Sequence, residues 1–123
     1  MLQAVWIEFP VKDLERAQKF YQTLFELQPT DIVDDGVRRT TTLTNTGDGG
    51  SAGISLNQTA NFEPNDKGAF VYLYAGEDLT HHLSRVEPAG GKIITGKTYM
   101  EGAGYYAAVQ DTEGNVFALY STK

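Results

Sequence analysis

Val5-Trp6-Ile7-Glu8-Phe9, followed by Asp13-Leu14, is the stretch that decides the fold, because the same order of patterns returns later in the chain. Phe70-Val71-Tyr72-Leu73-Tyr74 precedes Asp78-Leu79, and that pair lies 65 positions after Asp13-Leu14. Identity between the two copies is weak, but the pattern order is the same. A repeat of this length predicts two copies of one supersecondary unit that share a core.

Each copy reads as β-α-β-β-β. Alternating apolar residues predict the opening strand, and Asp13 is a typical helix N-cap before an apolar stripe. Hairpin-like stretches follow at 40–56 and 105–121, and Gly47-Asp48-Gly49-Gly50 is typical of the first hairpin's turn. The positions predicted to face the helices are Val5, Ile7, Phe9, Ile54 and Leu56 in the first copy, and Phe70, Tyr72, Tyr74, Phe117 and Leu119 in the second.

The composition indicates an ordinary soluble globular protein. The chain has 123 residues, 41% of them hydrophobic and 21% charged, and a net charge of −6. This acidic balance argues against a nucleic-acid partner and permits a cationic ligand. Without cysteine, thiolate metal sites and cysteine nucleophiles are excluded. We find neither a signal peptide nor an apolar run long enough to span a membrane, so we expect a cytoplasmic protein that does not bind membranes.

The length favours a single domain over residues 1–123. We place module 1 at about 4–57, a polar linker at about 58–67 and module 2 at about 68–121. The repeat leaves sheet edges that a partner could cover, which favours a homodimer. Whether the modules pair within one chain or swap between chains stays open at this point.

Three segments carry a family resemblance. The segments 6–21, 89–92 and 104–119 resemble the opening and second-half signatures of the vicinal oxygen chelate superfamily, which includes glyoxalases, bleomycin-resistance proteins and extradiol dioxygenases. The resemblance implies an α+β fold in which two tandem βαβββ modules form an eight-stranded, U-shaped mixed sheet with the helices on its convex face. Members of this superfamily are often dimeric, and their chemistry varies on one fold.

The resemblance also implies where a metal ion would bind. Metal-using members place His and Glu at four equivalent strand positions, which correspond here to Trp6, Gly53, Val71 and Ala118. A shift of one residue before Asp78 would put Tyr72 in the place of Val71. None of these side chains is a usual ligand of a divalent ion, so we expect a member that has lost the metal site and needs no cofactor.

Strand alternation predicts the lining of the cleft from those four positions. The predicted ligand-binding residues are Trp6, Glu8, Ser55, Leu73 and Tyr120, together with Tyr105 near the cleft mouth, for which ligand contact and core packing both stay open. They form an apolar set with a few polar groups, as in many small-molecule sites. Glu8 is either a ligand anchor or general base, or a carboxylate paired with Arg38 or Arg39 or hydrogen-bonded to Ser55 or Tyr120. Tyr120 is the one candidate oxyanion stabiliser.

Three functions are compatible with these residues. The first is binding of a small organic molecule without a metal ion, as in the resistance proteins that this chain resembles. The second is a divergent lyase or isomerase that uses Glu8 as general base, with Glu8 and Tyr120 as catalytic residues. The third is a structural or regulatory dimer with a vestigial cleft. Whether the protein is an enzyme, and what its ligand is, stay open.

Overall fold

The computed structural model describes residues 1–45 and 51–123. The first half contains β1 (Trp6–Pro10), α1 (Leu14–Phe25), β2 (Ile32–Asp34), β3 (Arg39–Thr44) and β4 (Gly53–Gln58). The second half contains β5 (Tyr72–Tyr74), α2 (Thr80–Val86), β6 (Lys92–Met100), β7 (Gly104–Gln110) and β8 (Val116–Ser121). The turn predicted at 47–50 lies outside the described residues.

The strands form two mixed sheets of four, with the orders β1-β4-β3-β2 and β5-β8-β7-β6. In each sheet the module's first strand pairs in parallel with its last, and the other pairs are antiparallel. The predicted α+β fold of two tandem βαβββ modules is thereby confirmed. Neither helix of the described chain is long and apolar enough to cross a membrane.

Helix α1 forms where the sequence predicts it. The Asp13 side chain accepts a hydrogen bond from the backbone N–H of Arg16 at 3.1 Å, which caps the helix. One stripe of the helix is buried, and it comprises Leu14, Ala17, Phe20, Tyr21 and Leu24. These side chains pack with Phe9 and Leu56 of the first sheet and with Phe117 and Leu119 of the second, so one hydrophobic core draws on both modules.

The prediction for the opening strand of the second copy was wrong by one residue. Leu73 is buried in the core at 9% exposure, whereas Phe70, Tyr72 and Tyr74 are exposed. Val5 is also exposed, because it lies just before β1 begins. Trp6 pairs with Gly53 and Tyr72 pairs with Ala118, so Tyr72, not Val71, is the counterpart of Trp6.

A shorter loop explains this shift. Seven positions separate Trp6 from Asp13, but only six separate Tyr72 from Asp78. Gly76 lies in the shorter loop with φ of +80°, a conformation that glycine adopts without steric cost. Because side chains alternate between the two faces of a strand, one missing residue places every side chain of β5 on the face opposite to the one that the 65-residue repeat predicts.

The modules are joined within the chain by a carboxylate from the turn at 111–115. Glu113 accepts hydrogen bonds from the backbone N–H groups of Lys12 and Asp13 at 2.9 and 2.8 Å. The Arg16 guanidinium adds two further bonds, at 2.8 and 3.0 Å. These contacts hold the start of α1 against the β7–β8 turn.

Other polar groups of the same turn complete the joint. Asn115 donates to the Pro10 carbonyl at 2.7 Å, and the buried Tyr21 hydroxyl donates to Asp111 at 2.6 Å. Burial raises the pKa of Asp111, although hydrogen bonds from Tyr21 and Asn115 oppose the rise. Burial by itself would raise the pKa of Glu113 too, but its bonds from Arg16, Asp13, Thr112 and Lys12 outweigh burial and lower it.

We expect Glu113→Gln to lower the free energy of unfolding by about 1–3 kcal/mol at neutral pH, because an amide cannot replace the charge-assisted bonds to Arg16. The folded-state pKa of Glu113 lies below its ordinary value of 4.5. The stabilisation is therefore complete above that value and disappears as the pH falls through the folded-state pKa.

Urea unfolding of the wild type and of Glu113→Gln across the acid range measures the difference in their free energies of unfolding. The difference in free energy of unfolding should become smaller under acid conditions. A difference that is independent of pH would show that ionised Glu113 is not its source. Glu101→Gln is the matched control, because Glu101 is exposed and the change should be nearly neutral.

Candidate functional site

The candidate site lies on the face of the first sheet that is turned away from α1, which we call the cleft face. Trp6 and Glu8 of β1 lie beside Gly53 and Ser55 of β4 in the parallel register. The Trp6 indole N–H donates to Ser55 Oγ at 3.0 Å, and the Ser55 hydroxyl donates to Glu8 Oε2 at 3.1 Å. This chain of hydrogen bonds fixes the orientation of the Glu8 carboxylate.

Glu8 has two further neighbours. Asn57 donates to Glu8 Oε1 at 3.2 Å, and the Arg38 Nη1 atom lies 3.8 Å from the same oxygen. Arg39 instead binds Glu15, at 2.7 Å. Of the predicted alternatives for Glu8, the structure therefore shows the hydrogen bond to Ser55 and the ion pair with Arg38. The side chain remains 29% exposed, so a ligand can still reach the carboxylate.

Two cavities open on either side of Trp6 and Glu8. One, of about 430 Å³, lies over the first sheet and is also lined by Val33, Arg38, Thr40 and Thr42. The other, of about 630 Å³, lies between β1 and the segment that precedes β5, and is also lined by Phe70 and Val116. Trp6 and Glu8 therefore line both cavities, and each cavity is in the size range of small-molecule sites.

The cleft face of the second sheet is covered by tyrosines. Tyr72, Tyr74, Tyr106 and Tyr120 share this face in the strand register. The rings of Tyr72 and Tyr106 lie 6.4 Å apart between centroids, and those of Tyr74 and Tyr120 lie 6.3 Å apart. Each distance falls within the range of favourable aromatic pairs.

Two of the predicted ligand-binding residues lie elsewhere. Leu73 faces the core as a consequence of the shifted register. Tyr105 pairs with the buried Ser121 on the helix-facing side, where its ring lies 4.7 Å from the Lys97 ammonium. Their neighbours Tyr72 and Tyr106 occupy the cleft face instead.

The other predicted residues all lie on the cleft face, but they do not form a single cluster. Trp6, Glu8 and Ser55 are brought together, whereas Tyr120 packs beside Tyr74 in the second sheet. In the described chain, no hydrogen bond joins Tyr120 to Glu8. Sequence reasoning missed Asn57 as a partner of Glu8, although alternation from Ser55 places it on the same face.

The residues do not fit a metal ion at the position that the superfamily resemblance implies. The strand register brings together Trp6 with Gly53 and Tyr72 with Ala118, and these side chains offer only an indole and a phenol. Within residues 1–45 and 51–123, no three His, Cys, Asp or Glu side chains form a group that could hold a metal. His82 packs on Phe25 with ring centroids 5.4 Å apart, on α2 and away from the cleft.

We expect Ser55→Ala to accelerate hydrogen exchange at the Trp6 indole N–H, because the substitution removes its acceptor. The cost to stability should be about 0.5–1.5 kcal/mol. Trp6 is the only tryptophan, so its indole gives one resonance in a proton–nitrogen NMR spectrum.

The matched control is Thr42→Val, which changes the residue opposite Ser55 on β3. Among the described residues, Thr42 makes no hydrogen bond to Trp6 or Glu8. Equal exchange rates in wild type and Ser55→Ala would contradict the hydrogen-bond chain.

Solved structures resemble this chain over nearly its full length. A hypothetical protein from S. aureus aligns over 98% of this chain and 94% of its own, with a TM-score of 0.65 and 21% identity. A genomically encoded fosfomycin resistance protein from Listeria monocytogenes covers 100% of this chain and 94% of its own, with a TM-score of 0.72 and 15% identity.

A mutant of glyoxalase I from Zea mays has a TM-score of 0.74 and 21% identity. It matches 96% of this chain, which spans only 46% of the maize protein. No curated protein sequence matches. At these identities the structural likeness establishes the fold alone.

The family assignment comes from the sequence itself. The model of the Glyoxalase/Bleomycin resistance protein/Dioxygenase superfamily matches residues 3–119. The chain therefore belongs to the glyoxalase, bleomycin resistance protein and dioxygenase superfamily.

Proposed function

We propose that this protein binds a small organic molecule in the cleft, with Trp6, Glu8 and Ser55 as the centre of the site. The hydrogen-bond chain from Trp6 through Ser55 to Glu8 supports this proposal more than any other feature. It fixes an aromatic surface and a carboxylate side by side, and both remain accessible from two cavities. The open cavities argue against a vestigial cleft filled by its own side chains.

We further propose that binding requires no metal ion. The support is the set of side chains at the superfamily's ligand positions, since Trp6, Tyr72, Gly53 and Ala118 provide neither imidazole nor carboxylate. Glu8 lies two residues along β1 from Trp6 and is therefore not one of the superfamily's ligand positions. Recognition would then depend on the carboxylate and on the aromatic surfaces of Trp6 and the tyrosines.

A thermal-shift screen of metal-stripped protein tests this proposal. We expect saturable stabilisation by at least one small aromatic, cationic or thiol-conjugate compound, reaching about 2.7 kcal/mol at a ligand concentration of 100 times its Kd. Glu8→Gln should reduce that stabilisation, while Glu101→Gln, on the exposed surface, should not. Saturable stabilisation by nickel, zinc or iron that is lost on mutation of cleft residues would contradict metal-free binding.

A lyase or isomerase with Glu8 as general base is the second candidate. It is favoured by a carboxylate that is fixed in orientation and still exposed to the cavities, as a general base must be to reach a substrate proton. Among the described residues no hydrogen bond joins Tyr120 to Glu8, so this candidate lacks an identified oxyanion stabiliser beside its base. Each stabilising compound should be assayed for turnover, and turnover that survives Glu8→Gln would exclude Glu8 as the base.

We also propose a homodimer. Strand β6 is nine residues long and lies at the outer edge of the second sheet, and its Ile94 and Tyr99 are exposed. Exposed edges of this length are usually covered or paired. Sedimentation equilibrium gives the mass directly, and a monomer mass at micromolar concentration would contradict the proposal.

A further inference from the structure

We propose that the ligand is an aromatic organic cation whose ammonium group displaces the Arg38 guanidinium from the Glu8 carboxylate. This inference rests on the proposed binding function and adds the chemical class of the ligand. In the ligand-free protein Arg38 would act as an internal competitor for the cation site.

The contact between Arg38 and Glu8 is longer than the hydrogen-bonded ion pairs that Arg16 and Arg39 form. Arg16 and Arg39 approach Glu113 and Glu15 to 2.8 and 2.7 Å, each with hydrogen bonds. Arg38 stays 3.8 Å from Glu8 with no hydrogen bond between them, and its side chain is 48% exposed. An exposed ion pair without a hydrogen bond contributes little free energy, so its displacement costs little.

The Glu8 carboxylate is better fixed than its cationic partner. Ser55 and Asn57 each donate one hydrogen bond to it, and both residues are buried. A carboxylate has about four lone-pair sites, so acceptor positions remain for the N–H groups of an ammonium ion. The site thus presents an oriented anion whose counterion can leave.

Aromatic surfaces beside Glu8 suit the rest of such a ligand. Trp6 is 43% exposed and lines both cavities together with Glu8. The Phe70 ring borders the larger cavity and lies 5.0 Å from the Tyr72 ring. Aromatic faces attract cations, and tryptophan does so most strongly. Carboxylate and rings together favour a cationic aromatic molecule over a neutral or anionic one.

The surrounding charges point in the same direction. Besides Glu8 and Arg38, the smaller cavity is lined by one charged residue, Asp31, and the larger is lined by Asp66 and Lys67. Once Arg38 moves away, the charge around Glu8 is net negative. The net charge of −6 adds a long-range attraction for cations.

Trp6 fluorescence allows three matched probes to be compared in this site. The probes are 2-phenylethylamine, 2-phenylethanol and 3-phenylpropanoate, which share a phenyl ring and differ in charge. At neutral pH we expect the amine to bind about three- to tenfold more tightly than the alcohol, and the carboxylate to bind most weakly. Glu8→Gln should abolish the preference for the amine over the alcohol.

The sign of the Arg38→Gln effect decides between cationic and anionic ligands. If Arg38 competes with the ligand, its removal should tighten amine binding by about two- to fivefold. The loop between β2 and β3 should keep its conformation in Arg38→Gln, because the hydrogen bonds that residue 38 makes there use its backbone. The Arg38 N–H donates to the Asp35 side chain, and the Asp35 N–H donates to the Arg38 carbonyl. Lys19→Gln removes the same charge from the exposed side of α1 and controls for net charge.

Each alternative outcome has a distinct meaning. Equal binding of amine and alcohol at Trp6 would overturn the cation assignment and leave the binding function standing. Weaker amine binding in Arg38→Gln than in wild type, or tightest binding of 3-phenylpropanoate, would identify Arg38 as an anion anchor. Either result would also overturn the cation assignment. If none of the three probes changes Trp6 fluorescence but compounds from the thermal-shift screen change it, the assignment to aromatic cations is wrong. If no compound of either set changes Trp6 fluorescence, the proposed binding function is wrong as well.

Discussion

The four hydrogen bonds that Glu113 accepts from the first turn of α1 and the residues before it are the contacts on which the relative placement of the modules most depends. Glu113 belongs to the β7–β8 turn of the second module, whereas Lys12, Asp13 and Arg16 follow β1 of the first. The carboxylate accepts from the backbone N–H of the N-cap residue Asp13, which has no partner within the helix, and from that of Lys12 before it. Because Lys12 lies two residues after the end of β1 at Pro10, the same contacts hold that strand, and with it Trp6 and Glu8, relative to the second sheet.

The two halves of the cleft use equivalent positions for different chemistry. Glu8 and Ser55 form a pair in the first sheet, and Tyr74 and Tyr120 are the corresponding pair in the second. A carboxylate with hydrogen-bond donors, beside the Trp6 indole, therefore occupies one half of the pseudo-symmetric fold, and tyrosine rings occupy the other. An asymmetric lining of this kind can orient an asymmetric ligand, since the carboxylate lies in the first module beside Trp6.

The sequence predicts the architecture well because the repeat is carried by local patterns: strand alternation before Asp13, the N-cap itself and the stripe of α1. The same alternation placed Trp6, Glu8 and Ser55 on one face correctly. It failed for Leu73, because one residue missing before Asp78 reverses the faces of the second opening strand. Tyr105 was placed only near the cleft mouth, and the strand register assigns it to the helix-facing side. The role of Glu113 is not visible in sequence, since its partners lie about 100 positions away.

If ligands bind against Trp6, the indole resonance of this single tryptophan reports their binding directly. We would titrate isotope-labelled protein with the most stabilising compound and follow the proton–nitrogen spectrum. We expect the Trp6 indole signal to shift and to saturate together with the side-chain amide signals of Asn57. An indole signal that stays fixed while other resonances saturate would place the binding site elsewhere and contradict binding against Trp6.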